Sequence, residues 1–115
     1  MGIEQTLADN ARRYYKWAED AFTEGDYNVS ITLHFKLAAE VCDLLLFSKT
    51  RRITSNHTER FRLLEKLFPD VYLLLDTLFS IYQKTYTAKM NLNEAEAVRK
   101  NVLEIARLAK VDINI

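Results

Sequence analysis

The chain has 115 residues, enough for one domain with a real core and too few for two. Sixteen Lys and Arg balance sixteen Asp and Glu, so no global field draws it to nucleic acid or to anionic lipid. Two Gly and one Pro argue against a β-rich fold with many tight turns, and the single cysteine, Cys42, excludes an internal disulfide or a multi-cysteine zinc site. Leu, Ala, Glu, Lys and Arg dominate, all good helix formers. No apolar run approaches the roughly 20 residues of a membrane span, and the opening segment has no signal-peptide core. The expectation is a cytoplasmic protein of one domain, residues 1–115, with no membrane contact.

In chain order, the first helix is expected from Ile3 to Glu24, with Leu7, Ala11, Tyr14, Ala18 and Ala21 at helical spacing. Gly25 can then take the left-handed conformation that ends a helix, and Asp26 can cap the next. A second helix over 27–48 buries Ile31, His34, Phe35, Ala38, Val41 and Cys42, and the short connection implies an antiparallel hairpin. Residues 49–55 read as loop. Asn56 with Glu59 three residues on has the form of a capping box for a third helix. Pro69 suits the first turn of a fourth, expected over 70–89 with Asp76, Ser80, Gln83 and Thr87 as its only polar stripe. A helix so apolar is buried on more than one side, and one of those sides is expected to meet another subunit. Asn93 is expected to cap a fifth helix over 94–110, with Val98, Val102 and Ile105 inward. The fold class that follows is all-α, an antiparallel up-and-down bundle of about five helices.

The order of these pieces carries a resemblance. A helix hairpin, "YYKWAEDAFTEGDYNVSITLHFKLAAEVCDLLL", turns on Gly-Asp-Tyr; a loop leads to Ser-Asn-His; a long apolar helix runs into "IYQKTYTAKMNLNEAEAVRK". Over residues 10–108 this resembles a HEPN domain. The resemblance implies a homodimer. It also implies one of three roles: a metal-independent RNase, the partner of a small nucleotidyltransferase in a toxin–antitoxin module, or a non-catalytic scaffold. The family's RNase signature, an Arg followed within a turn or two by a His, would fall in "YQKTYTAKMN". Gln83 or Lys84 stands where the Arg would be, and no His follows. The function expected is therefore a non-catalytic interaction module. Its groove or interface would be formed by Leu75, Phe79, Tyr82, Gln83 and Tyr86.

The rival expectation rests on "TRRITSNHTER", where arginines and a histidine crowd together. Six cations against two carboxylates between Lys49 and Lys66 could bind RNA phosphates. Arg51, Arg52, His57 and Arg60 are the candidate contacts, and a weak RNase would use His57. The alternative for His57 is a structural residue at the edge of the apolar face. His34 reads as a core histidine, Cys42 as a buried hydrophobe, and Glu40 with Asp43 as a solvated face. No residue set points to a metal or a cofactor.

Overall fold

Small side chains at Ala11, Ala18 and Ala21, all buried, let the first helix lie close against the second. In the computed structural model, which describes residues 2–113, the helices are α1 (Ile3–Thr23), α2 (Tyr27–Thr50), α3 (His57–Leu67), α4 (Pro69–Lys84) and α5 (Leu92–Ala109). No strand occurs among the described residues, and the all-α bundle is as expected. No helix among them is long and apolar enough to cross a membrane.

The α1–α2 hairpin closes as the glycine foretold. Gly25 has φ 78°. The Asp26 N–H donates to the Ala21 carbonyl at 2.9 Å and the Gly25 N–H to the Phe22 carbonyl at 3.1 Å, which together make a Schellman ending. Asp26 itself makes no side-chain cap bond, contrary to expectation. The long helix α2 touches each of the other four. It is accordingly buried on several sides, through Ile31, Phe35, Leu37, Val41, Cys42 and Leu46. Burial pushes the Cys42 thiol pKa far up, so it acts as packing. His34 is buried as read. Its Nδ1 donates to the Ser30 carbonyl at 3.0 Å, and its Nε2 lies 3.2 Å from Glu19 of α1. Glu19 is gripped in turn by Arg99 of α5, whose Nη2 lies 2.6 Å from Oε1.

Three boundaries differ from expectation. α2 continues to Thr50. α4 stops at Lys84, five residues short, because Asn28 of α2 takes over the following turn. Its Nδ2 donates to the carbonyls of Thr85 (3.2 Å) and Ala88 (2.8 Å), and its Oδ1 accepts from the Met90 N–H at 2.8 Å. Met90 is then buried, and the chain enters α5 at Asn91 rather than Asn93. Asn91 and Glu94 form the reciprocal capping box. At α3, Asn56 does accept from the Glu59 N–H (2.9 Å), but Glu59 reaches back to the Ser55 N–H (3.3 Å) and not to Asn56.

The apolar surface of α4 is covered within the protomer by α2, α3 and α5. Val71, Leu75 and Leu78 are buried, and Leu73 is the one residue of its apolar run that is largely exposed. Leu75, expected at a groove or interface, is fully buried in the core instead. A charge placed there would test folding and not association.

Candidate functional site

Helical spacing puts Val29, Leu33, Lys36 and Glu40 on one stripe of α2, and this stripe floors a groove. One wall is α1, with Arg13, Tyr14 and Trp17; the other is built from His57 and Arg60 of α3, Tyr82 of α4 and Thr85. Three hollows follow one another along it. The largest, about 420 Å³, lies between Trp17, Arg13 and Leu33. Leu33 also borders a second of about 180 Å³ beside Val29 and Thr85. Tyr14 joins the first to a third of about 170 Å³, which holds Lys36, Glu40, His57, Arg60 and Tyr82.

The third hollow contains most of the titratable groups. Arg60 makes a two-pronged pair with Asp43, Nε to Oδ1 and Nη2 to Oδ2, both at 2.9 Å. Thr54 donates to the same carboxylate at 2.8 Å. Asp43 is thus buried and fully engaged, which corrects its reading as part of a solvated face. Arg60 also donates from Nη1 to His57 Nδ1 at 2.7 Å. The His57 ring sits against Phe35 and Phe79, with centroids 5.8 and 5.7 Å away. Burial, then the charges of Arg60 and Lys36, hold its pKa below the ordinary value. Glu40 is half-buried, and its Oε2 is out of water without a hydrogen bond. Burial and the neighbouring Asp43 charge raise its carboxyl pKa.

Tyr82 stacks on Phe35 at 4.5 Å with the rings 7° from parallel. Its hydroxyl meets that of Tyr86 at 2.8 Å, and this bond, with burial, raises its pKa. Tyr86 itself is 73% exposed in the turn after α4. Phe79 is half-buried in the same aromatic cluster, while Gln83 faces solvent.

The structure therefore splits one expected set and merges parts of two. His57 and Arg60 join Tyr82 around one hollow. Arg51 is turned away: it ends α2 at φ 60°, lies over the Phe47 ring at 4.7 Å and approaches Glu4 at 3.5 Å. Arg52 borders a separate hollow of about 120 Å³ with Ile53 and Arg62. Lys36 is a site residue that sequence reasoning passed over, and Glu40, read there as part of a solvated face, is half-buried in the same hollow. Their one signal was the spacing from Val29 and Leu33, a mixed stripe on an otherwise apolar helix. Among the described residues no group of three or more His, Cys, Asp or Glu could hold a metal ion. Compared with known proteins, the chain matches no family model, no curated protein and no solved structure.

Proposed function

We propose that the chain is a HEPN-like interaction module that works as a homodimer, recruits a protein partner such as a small nucleotidyltransferase, and has no nuclease chemistry of its own. The observation that carries this reading is the groove along α2. Trp17, 53% exposed, stands at its rim beside the largest hollow, with Val29, 44% exposed, further along. A half-exposed Trp beside an apolar hollow is the usual anchor of a protein interface, where a few aromatic side chains contribute most of the affinity. The spaced sequence pattern that resembles HEPN domains supplies the family frame.

The nuclease alternative needs a free base and a free cation in mutual reach. Arg60 and His57 are in reach of each other, but each is already committed. The guanidinium is held by Asp43, and the His57 nitrogen that could accept a proton is occupied by Arg60. RNA contact without cleavage is favoured by a separate observation, the convergence of Arg52 and Arg62 on one hollow. Light scattering of the purified chain and co-purification from its native host test the reading. A dimer that brings down a nucleotidyltransferase subunit is expected. A monomer, or a chain that carries RNA and no protein, would refute it.

A further inference from the structure

Four residues of α1's outer side are spaced by four, three and four: Arg13, Trp17, Asp20 and the helix-ending Glu24. That spacing places them on one stripe. All four are exposed, and neither Arg13 nor Asp20 has an ion-pair partner among the described residues. The stripe is cationic before Trp17, where Lys16 also leans over the indole at 4.7 Å, and anionic after it.

We propose that a second copy of this chain docks on this face, with the two α1 helices antiparallel across a two-fold axis at Trp17. The inference rests on the homodimer of the proposed function and names its surface. Chain reversal about Trp17 sets each position against one equally far on the other side. Arg13 of one copy then faces the neighbourhood of Asp20 of the other, and Asn10 faces Glu24. The two indoles meet at the axis beside the hollows of about 420 Å³, so each ring gains the apolar cover that it lacks in the protomer. A parallel pairing would bring Arg13 against Arg13 and Asp20 against Asp20. An acidic peptide would satisfy Arg13 and Lys16 but would meet like charge at Asp20 and Glu24. Of these three occupants, the reversed second copy alone satisfies both ends of the stripe. The competing face on α4 offers a single largely exposed apolar side chain, Leu73, beside the exposed Asp76 and Thr77.

Sedimentation equilibrium of the full chain tests this, with helix content checked by circular dichroism. Trp17→Lys should give monomers. Arg13→Glu and Asp20→Arg should each raise the dimer dissociation constant by about tenfold or more, and the variant with both changes should return towards wild type. Unchanged dissociation constants in both charge variants, a double variant as weak as the singles, or loss of the dimer only in Leu73→Lys would overturn the proposed face and leave the homodimer standing. A wild-type monomer would remove the homodimer itself.

Discussion

A guanidinium can only donate hydrogen bonds, so the 2.7 Å contact from Arg60 requires an unprotonated Nδ1 on His57 and leaves the ring proton on Nε2. Protonating His57 would break that bond and set a second cation against Arg60, which agrees with its lowered pKa. In the unfolded chain the same ring titrates near about 6.5. Just below that pH the unfolded chain binds more protons than the folded one. His57 therefore contributes its stability in full above about pH 6.5 and loses it as the pH falls through the lower folded value. His34, also lowered by burial, acts in the same direction. The expected result is a urea midpoint that declines from pH 7 towards pH 5, with a shallower decline in His57→Gln. An imidazole NMR titration of His57 centred above 6.5 would mean that Arg60 does not hold it in solution. None of this was legible from the sequence, because Asp43 lies 17 positions from Arg60 and on another helix. Local spacing shows His57 at the margin of an apolar face, and it shows nothing of what arrives from α2.

At the scale of the elements, two helices end the same way with different residues. At the end of α5, Lys110 has φ 57°, the Val111 N–H donates to the Ala106 carbonyl at 3.0 Å, and the Lys110 N–H donates to Arg107 at 3.1 Å. This is the ending seen at Gly25, with a side chain in the left-handed position that disfavours one. Lys110→Gly should therefore stabilise the protein by about 0.5–1 kcal/mol, and Gly25→Ala should destabilise it by about 1 kcal/mol. No atom lies within 4 Å of a Cβ added at Gly25, so that cost comes from the backbone alone. Shifts of opposite sign in the urea midpoint are the check; equal shifts would show that the two endings differ in solution. The α1–α2 end was legible because Gly signals it, as was Pro69 at the start of α4. The end of α4 was not legible, since Asn28 reaches it from about 60 positions away. Nor could the sequence choose between Asn91 and Asn93. Each has a Glu three residues on, and the burial of Met90 decides the matter.

Over the whole molecule the formal charge is zero, and folding uses up part of the one local excess of cations. Of the candidate phosphate contacts, Arg60 is locked to Asp43 with both partners largely buried, and Arg51 is drawn towards Glu4. Arg52 and Arg62 are left on a small hollow that Glu59 shares. Electrostatic RNA binding, and its loss with added salt, both scale with the number of phosphates neutralised, so any affinity should be weak and should depend only gently on salt. Cleavage asks for more: a base able to take the 2′-hydroxyl proton and a cation at the phosphorane, fixed to within about 1 Å. Tyr82 and Tyr86 are bonded to each other, and Tyr82 titrates above its already high reference value. Gln83 is uncharged, and Lys84 offers a point charge without the planar fork of an arginine. His57 is the one imidazole lining this hollow, but its Nδ1 lone pair is covered by Arg60. Nuclease-free protein incubated with mixed cellular RNA should therefore show no cleavage above background, and His57→Ala should behave as wild type. Releasing the imidazole is the sharper version of the test. Arg60→Gln removes the guanidinium from Nδ1, and its result should still be no cleavage, because the cation that remains in the hollow, Lys36, is a point charge without the planar fork of a guanidinium. Cleavage by the wild type that vanishes in His57→Ala would show that His57 reaches its substrate in a geometry other than the one held by Arg60 and Asp43.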